Sequence, residues 1–246
     1  MKVLFLGNSF ADDTIQYVNE IASSLKIKKL EVYCLYIGGC SIDYHYENLL
    51  ENRHNYEFRY YEDGIWKTQY AVSIQDILNK YRFDYISLQQ ASNFSGKAET
   101  YQNLNNLIKK LSKFSKAQFC FLQTWPYSYN SDHPNFGDYQ KNVDFMYHMI
   151  CQAEKEIVVT NDKIVKIIPS GTAIYLASKT IIKDKIYRDG FHLSFDIGRY
   201  ISSLCFIDSF YSIDWRKVYQ IDNLNKKDFK EIKKVVNVAI KCHFVV

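Results

Sequence analysis

Proline and glycine are scarce in this sequence, with three prolines and nine glycines among 246 residues. That composition argues against a collagen-like, disordered or repeat-turn chain, because each of these needs far more of the two residues. Apolar residues make up 47% of the chain, which is enough to fill one large core. No linker, low-complexity stretch or internal repeat divides the sequence, so we predict a single domain over residues 1–246.

Cysteine spacings typical of metal or redox sites are also absent. None of the six cysteines forms a CxxC pair, and no cysteine–histidine cluster has zinc-finger spacing. Cys34, Cys120 and Cys205 lie within apolar runs, where a free cysteine acts as a small buried apolar residue. We therefore expect reduced core thiols, no disulfide framework and no metal site.

Long apolar runs and blocks of one charge are missing as well. No segment approaches the roughly 18 apolar residues of a membrane helix, and the N-terminal run is too short for a signal peptide. We expect a cytoplasmic protein if Met1 is native, and a secreted one if a leader was removed. The formal net charge is +4 at pH 7, and the basic residues are dispersed, so we do not expect nucleic-acid binding.

Apolar periodicity predicts alternating strands and helices. Continuous apolar stretches predict five strands, at residues 3–6, 30–37, 83–89, 117–125 and 165–169. Helices are expected at 12–25, 41–50, 73–81, 98–114, 138–156, 171–179, 196–211 and 227–240. The predicted fold class is α/β, a three-layer α/β/α sandwich around a five-stranded, mainly parallel sheet. Alternation about Asp63-Gly64 predicts a small β-hairpin insertion over 58–70.

The carboxyl ends of these strands carry small and polar residues. Ser9, Gly38-Gly39, Gln89-Gln90 and Trp125 each come at or just after the end of a predicted strand. In a parallel sheet these ends share one edge, and ligands of open α/β folds bind at that edge. The sequence therefore predicts a binding or catalytic site there.

Ser9 gains meaning from a pair of residues near the other end of the chain. A serine after a strand often caps a helix, but Asp12 and Asp13 already offer residues that can start that helix. Asp189 and His192 are three positions apart, which lets the carboxylate reach Nδ1 of the imidazole and leaves Nε2 to accept a hydroxyl proton. Such an arrangement activates a serine as a nucleophile.

The same residues resemble a known family. GNSF at 7–10, a glycine after the second strand and DGFH at 189–192 are similar to the motifs of the SGNH (GDSL-type) hydrolases, in the same order along the whole chain. The strings GGCS, HYEN, LQQAS and RDGFHLS resemble a bacterial branch of that family. The resemblance implies a flavodoxin-like SGNH-hydrolase architecture that acts on ester bonds and needs no metal or organic cofactor.

The resemblance also implies a role for each residue. Ser9 is the nucleophile, His192 is the general base and then acid, and Asp189 is the carboxylate that orients the imidazole. The oxyanion hole consists of the backbone N–H groups of Ser9 and Gly39 and one amide side chain, all aimed at the developing charge.

The amide donor is the least defined of these groups. Most members of the family carry Gly-x-Asn-Asp after the third strand, whereas this chain has LQQASNF. A count without gaps from Asp84 gives the role to Asn93, but Gln89 leaves the strand first and carries the same carboxamide. We favour Gln89 over Asn93, and Gln90 stays open as a third candidate.

Three residues near the same edge are candidates for substrate contact. His45 lies early in the helix after Gly39, where a partly exposed histidine with no ligand role is the alternative. Trp125 and Tyr127 belong to a polar-aromatic loop over 124–136, and long loops of this kind often cover binding sites. We expect these two rings to wall an acyl or sugar pocket.

The predicted function is hydrolysis of small carboxylic esters, with O-acetyl groups on carbohydrate favoured slightly by a polar, aromatic cleft. The alternatives are lysophospholipase or thioesterase activity, and a non-catalytic ligand-binding protein on the same fold. An α/β-hydrolase elbow is disfavoured because Ser9 comes too early and Asp189 lies too near His192. The Rossmann and P-loop glycine patterns are absent, and the oligomeric state stays open.

Overall fold

The structure, a computed structural model, describes residues 1–245. Strands and helices alternate along this range, as the periodicity predicts. In chain order the elements are β1 (Lys2–Gly7), α1 (Ser9–Ile15), α2 (Val18–Ser24), β2 (Glu31–Tyr36), α3 (Ile42–Glu51), β3 (Tyr56–Glu62), β4 (Ile65–Val72), α4 (Ile74–Lys80), β5 (Tyr85–Leu88), α5 (Leu104–Leu111), β6 (Gln118–Leu122), α6 (Val143–Ile157), β7 (Ile164–Ile168), α7 (Ser170–Ala177), α8 (Ile197–Phe210) and α9 (Lys226–Lys241). Short 3₁₀ segments occupy Ala98–Tyr101, Pro134–Tyr139 and Lys183–Lys185.

A single sheet runs through the fold. Within residues 1–245 it has seven strands in the order β4-β3-β2-β1-β5-β6-β7. The five predicted strands are β2, β1, β5, β6 and β7, and neighbours among them pair in parallel. Counted along the chain, their order is 2-1-3-4-5, which is the order of flavodoxin-like sheets.

The predicted count of five strands is wrong, because the hairpin insertion adds two strands to the sheet. The hairpin forms where expected, around Asp63-Gly64, but β3 pairs antiparallel with β2 and β4 pairs antiparallel with β3. Without the hairpin, β2 would be an edge strand with a row of unpaired backbone groups. An alternating sequence pattern predicts a hairpin, but it does not show which sheet edge the hairpin will extend.

Helices cover both faces of the sheet. Successive side chains of a strand point to opposite faces, so a strand that is apolar throughout needs cover on both. In β1, the buried side chains Val3 and Phe5 pack in one cluster with α1, α2, α7, α8 and α9. Leu4 and Leu6, also buried, pack in a second cluster with α3, α4 and α5. β1 is therefore the central strand of the sheet, and its carboxyl end lies in the middle of the row of strand ends.

The helices after β1 differ from the prediction. One helix was expected there, but α1 and α2 are separate. α1 also starts earlier than predicted, at Ser9, because the side chain of Asn8 caps it by accepting the N–H of Phe10 at 3.0 Å. Asp12 and Asp13 are thus not needed to start the helix and are available for other contacts.

Two later helices are shorter than predicted. The helix expected over 98–114 is a 3₁₀ turn followed by α5, and the helix expected over 138–156 begins at Val143, where Asn142 caps α6. At α6 the side chain of Asn142 sets the boundary by accepting the N–H of Phe145 at 3.0 Å, and apolar periodicity carries no information about such a cap. Among the helices of residues 1–245, none combines the length and the hydropathy needed to cross a membrane.

Candidate active site

The end of β1 brings Ser9 to the predicted edge of the sheet. Gly7 ends the strand and Asn8 caps α1, so Ser9 is the first residue of that helix. The turn is tight, because a Cβ on Gly7 would lie 2.6 Å from Oε1 of Gln89 and 2.7 Å from Cβ of Ala11. Glycine is the residue that fits at position 7 without displacing these neighbours. Ser9 itself is half-buried.

Asp189 and His192 meet Ser9 at this point. Nε2 of His192 lies 2.8 Å from Oγ of Ser9, a residue 183 positions away. Nδ1 of the same ring lies 2.6 Å from Oδ2 of Asp189. Because a carboxylate only accepts hydrogen bonds, Nδ1 carries the proton and Nε2 accepts the Ser9 hydroxyl. The three side chains form one continuous series of hydrogen bonds, which we call the Ser–His–Asp chain.

Asp189 holds the imidazole through both of its carboxylate oxygens. Oδ1 accepts the backbone N–H groups of His192 at 2.7 Å and of Phe191 at 3.2 Å. Burial raises the pKa of Asp189, but the hydrogen bonds from the His192 ring and from these N–H groups outweigh it, so the pKa lies below its ordinary value. The carboxylate is therefore charged at neutral pH.

Asp189 and His192 lie in a closed turn, residues 187–193, which we call the histidine loop. Its two ends are joined by an antiparallel bridge and a backbone hydrogen bond of 3.1 Å. Gly190 has φ +85°, in the left-handed region, and a side chain there would also lie 2.9 Å from the backbone of Ser131. The sequence Asp-Gly-Phe-His thereby sets the geometry between the carboxylate and the imidazole.

Asn8 links three segments that converge on Ser9. Its Oδ1 accepts Nε2–H of Gln89 at 2.7 Å in addition to the N–H of Phe10, and its Nδ2 donates to the carbonyl of Cys40 at 3.0 Å. Both amide side chains are buried. Asn8 directly precedes Ser9, and its side chain thus connects the end of β5 and the loop after β2 to the turn that carries Ser9. Sequence reasoning did not single it out, although it stands inside the GNSF motif.

The neighbouring glutamines have different partners. Gln89 directs Nε2 to Asn8, and its buried Oε1 has no hydrogen-bond partner among residues 1–245. Gln90 is buried too, but it accepts the N–H of Ile42 at 3.1 Å and donates to the carbonyl of Thr100 at 2.8 Å. Gln90 therefore fastens the start of α3, whereas Gln89 stays beside the turn that carries Ser9.

Gly39 and Asn93 lie in two loops at the same end of the sheet. Gly39 has φ +64°, and the N–H of Cys40 donates to the carbonyl of Ile37 at 3.2 Å, which closes a tight turn after β2. Asn93 is half-buried in the loop after β5, where its backbone carbonyl accepts the hydroxyl of Tyr139 at 3.0 Å. Glycine adopts the left-handed conformation at position 39 without the strain that a side chain would add.

Trp125 and Tyr127 are fully buried, which differs from the pocket walls expected from the sequence. The Trp125 ring stacks on Phe10 with centroids 4.1 Å apart, and its Nε1 donates to the carbonyl of Phe191 at 2.9 Å. The Tyr127 hydroxyl bonds Oγ of Ser92 at 3.0 Å. The two rings have their apolar surfaces covered by neighbours and support the start of α1 and the histidine loop from behind.

His45 is also buried, so its position differs from that expected of a substrate contact. Its Nδ1 lies 2.8 Å from the hydroxyl of Tyr56 and 3.3 Å from Sγ of Cys40. Burial lowers the pKa of His45 to about 3, so the ring is neutral at neutral pH. The spacing to Ile42 and Leu49, three and four positions away, puts His45 on the inner face of α3.

Asp13 is a buried carboxylate, one helical turn after Ser9. It accepts Nη1–H of Arg188 at 3.0 and 3.1 Å, Nε–H of Arg199 at 2.7 Å and the backbone N–H of Leu193 at 3.0 Å. Sequence reasoning took this residue for a helix starter. The spacing of four between Ser9 and Asp13 could have indicated that Asp13 lies near the site, because residues four apart share a helix face.

A polar cavity of about 310 Å³ adjoins Asp189, on a wall that includes neither Ser9 nor His192. Its wall includes Asn130, Asp132 and Asp184, together with the ring of Tyr129. Tyr129 is 66% exposed, in contrast to the two buried rings of the same loop. The loop over 124–136 therefore offers Tyr129 as its accessible aromatic side chain at this cavity.

The sequence profile of a family described as "Domain of unknown function (DUF4886)" matches residues 2–239. The chain belongs to the DUF4886 family. A crystal structure of a DUF4886 family protein from Bacteroides uniformis has 32% sequence identity and a TM-score of 0.94, covering 100% of this chain and 96% of that one. No curated protein matches the chain.

More distant structures share the fold of this DUF4886 protein. A candidate SGNH hydrolase from Slackia heliotrinireducens has 18% identity and a TM-score of 0.55, covering 85% of this chain and 98% of that one. A catalytic mutant of an acetylxylan esterase from Geobacillus stearothermophilus has 13% identity and a TM-score of 0.54, covering 85% and 93%. The DUF4886 chain is thus similar to SGNH hydrolases in fold: one sheet with helices on both sides.

Proposed function

We propose that this DUF4886 protein is a serine hydrolase that cleaves small carboxylic esters. The observation that carries the proposal is the Ser–His–Asp chain, with 2.8 Å between Ser9 and His192 and 2.6 Å between His192 and Asp189. These are distances at which a base can take the proton of a nucleophile. The likeness in fold to an acetylxylan esterase and a candidate SGNH hydrolase supports the same reaction class.

The proposed reaction has two halves. In the first, Oγ of Ser9 attacks the acyl carbon while Nε2 of His192 takes the hydroxyl proton. The alcohol leaves with that proton, and the acyl group stays on Ser9. In the second half, a water attacks the acyl group and gives a proton to Nε2, and the acid leaves as Ser9 recovers its hydroxyl. Asp189 accepts Nδ1–H throughout and stabilises the imidazolium that forms in each half.

The proposed oxyanion donors are the backbone N–H groups of Ser9 and Gly39 and the side chain of Gln89. Ser9 is the first residue of α1, so its N–H has no partner within the helix. Nε2 of Gln89 carries two hydrogens, and one of them is engaged by Asn8. The other hydrogen supports the choice of Gln89 over Asn93, which lies further along the loop.

We favour a small acyl group on a polar alcohol, such as an O-acetylated carbohydrate. The cavity beside Asp189 has a polar wall, and the exposed ring of Tyr129 offers a face on which a sugar can pack. Such a wall gives little apolar area for the long acyl chain of a lysophospholipid. Asp189 lines this cavity but Ser9 and His192 do not, so the cavity can hold only the part of a leaving group that lies away from the ester bond, and its polar wall favours hydroxyl groups there.

A fluorophosphonate probe tests the nucleophile directly. The expected label is on Ser9, identified by peptide mapping, and it should vanish in Ser9→Ala but persist in Ser92→Ala, a matched change at another half-buried serine of the same region. An unlabelled protein that hydrolyses none of the esters tested would contradict the proposal and favour a ligand-binding protein on this fold.

A substrate series tests the acyl preference. Acetylated sugars and p-nitrophenyl acetate should be hydrolysed faster than p-nitrophenyl esters of longer chains. A rate that rises steadily with chain length would contradict the preference for acetyl groups and favour a lysophospholipase or thioesterase.

A further inference from the structure

We infer that Asp13 is a positioning residue, which holds the histidine loop at a fixed place relative to Ser9. The inference rests on the proposed function for its kinetic consequence, but the placement itself can be tested without turnover. The hydrogen-bond partners of the Asp13 carboxylate are Arg188, Arg199 and the N–H of Leu193, not the side chains of Ser9 or His192, so it acts through the residues that flank Asp189 and His192.

The carboxylate of Asp13 binds both ends of the histidine loop. Oδ2 of Asp13 accepts the backbone N–H of Leu193, the residue directly after His192, at 3.0 Å. The same carboxylate accepts the guanidinium of Arg188, the residue directly before Asp189, at 3.0 and 3.1 Å. The base of the histidine loop is therefore fixed at one charged point.

The same helix carries that point and Ser9. Asp13 and Ser9 are four positions apart in α1, so they lie on one face, about one turn from each other. The distance from the serine to the anchor of the histidine loop is thus set by a single turn of helix. Movement of α1 carries both residues together, which keeps the hydroxyl and the imidazole in register.

The burial of Asp13 makes the anchor strong. Its side chain is 0% exposed. Besides Arg188 and the N–H of Leu193, it has a third partner in Arg199 of α8, whose Nε lies 2.7 Å from Oδ1. A buried carboxylate without such partners is unfavourable, so the pairing with Arg188 and Arg199 is strongly specified. Phe195 covers both guanidinium groups, with their Cζ atoms 4.9 and 4.7 Å from its ring centroid.

Other contacts hold a different part of the loop. Nε1 of Trp125 donates to the carbonyl of Phe191, and the N–H of Ser128 donates to the carbonyl of Gly190 at 2.7 Å. These bonds fix the tip of the loop, and Asp13 fixes its base. Loss of the Asp13 contact should therefore displace the base of the histidine loop while its tip stays bound. A displacement of about 1 Å between two reacting groups lowers the rate about 10²-fold.

The test compares Asp13→Asn with Asp12→Asn. Asp12 is the adjacent residue of α1, and its carboxylate pairs with Arg59 of β3 at 2.6 Å, so the control also removes one charge from an arginine pair. We measure kcat and KM per folded molecule, well below the melting temperature of each variant. Asp13→Asn should lower kcat at least tenfold with KM within twofold, whereas Asp12→Asn should change neither. A kcat of Asp13→Asn within twofold of wild type, or an equal loss in both variants, would overturn the inference.

NMR of the His192 ring separates this inference from the proposed function. The Nδ1–H signal should shift in Asp13→Asn and stay unchanged in Asp12→Asn, whether or not the protein turns over an ester. If the wild type is inactive and the signal still shifts, the proposed function fails and the positioning role stands. An unshifted signal in folded Asp13→Asn overturns the positioning role.

A second variant covers the case in which Asp13→Asn does not fold. Arg188→Met removes the side-chain contact of the loop but leaves Arg199 to neutralise Asp13. We expect a smaller loss of kcat in the same direction, partly restored in Arg188→Lys, which keeps a cation at that place. A folded Arg188→Met with wild-type kcat and wild-type imidazole signals would overturn the inference.

Discussion

Nε2 of Gln89 donates a hydrogen bond of 2.7 Å to Oδ1 of Asn8, a residue 81 positions earlier in the chain. Both side chains are buried. Because Oδ1 of Asn8 also accepts the N–H of Phe10, the orientation of that amide is fixed, and the orientation of Gln89 follows from it. The bond holds Nε2 of Gln89 against Asn8, while Oε1 of the same carboxamide lies beside Gly7.

Gln89→Ala should lower kcat by about 10²–10³ with KM nearly constant, because a donor to the transition state is removed while ground-state binding is little affected. Asn93→Ala is the matched control and should lose much less. Steady-state kinetics on one ester decides between them. A large loss in Asn93→Ala alone would show that Asn93 is the side-chain donor of the oxyanion hole. Wild-type rates in both variants would show that the hole has only backbone N–H donors.

Ser9→Ala should reduce ester hydrolysis by on the order of 10⁴-fold or more, because the nucleophile is lost while binding and the remaining donors persist. The melting temperature should stay near that of the wild type, since the side chain is small and half-buried. Turnover and thermal unfolding are measured on the same preparation. Near wild-type turnover with unchanged stability would exclude Ser9 as the nucleophile.

Asp189 should remain a competent hydrogen-bond acceptor throughout mild acid. Its pKa is below the ordinary value, and a lowered carboxyl pKa means that the ionised form persists until the pH falls below the usual carboxyl range near 4. Protonation of Asp189 should therefore cost no rate between pH 8 and 5. A carboxyl ¹³C NMR titration checks this, and protonation of Asp189 above pH 5 would contradict it.

Gly7→Ala should destabilise the fold by about 1–3 kcal/mol, because the added methyl group overpacks a closed turn. It would lie 2.6 Å from Oε1 of Gln89 and 2.7 Å from Cβ of Ala11. Urea unfolding measures the change, and Gly137→Ala is the control, since an added Cβ there meets no atom of residues 1–245 within 4 Å. Equal stability of the two variants would contradict the close approach at Gly7.

Glu154→Gln should gain stability over the wild type as the pH rises from 5 to 8. Burial raises the pKa of Glu154 well above its ordinary value, so the folded protein keeps a proton that the unfolded chain releases above about pH 4.3. The contribution of this group to the free energy of unfolding therefore falls with rising pH, by up to about 1.4 kcal/mol per unit. Glutamine carries no such proton.

Denaturant unfolding at pH 5 and pH 8 measures that difference. Glu156→Gln, an exposed glutamate of the same helix, is the control and should show no pH-dependent gain. A difference between Glu154→Gln and wild type that is the same at both pH values would show that the glutamate is already ionised in the folded state.

The sequence predicted the parallel part of the sheet well, because buried strands are continuous apolar runs that contrast with the helices between them. It did not predict that the hairpin at Asp63-Gly64 extends the sheet, since pairing partners are a long-range property. Helix starts set by one polar side chain, such as Asn8, were also missed, because apolar periodicity carries no information about caps.

The candidate site shows the same division. Motif spacing was enough to propose that Ser9, Asp189 and His192 converge, and their side chains do form one series of hydrogen bonds. Sequence alone could not show that Trp125 and Tyr127 are covered on all sides, because loop burial depends on which distant segments pack over it. Exposure, rather than residue type, decides which aromatic ring a substrate can reach.

The 183 positions between Ser9 and His192 have a consequence for the timing of synthesis. At about 5–20 residues per second, a ribosome needs roughly 10–40 s to travel from one to the other. During that interval the nascent chain displays a serine with ordinary reactivity, because its imidazole partner has not yet been made. The proposed ester hydrolysis would therefore report that the late histidine loop has docked on the first helix.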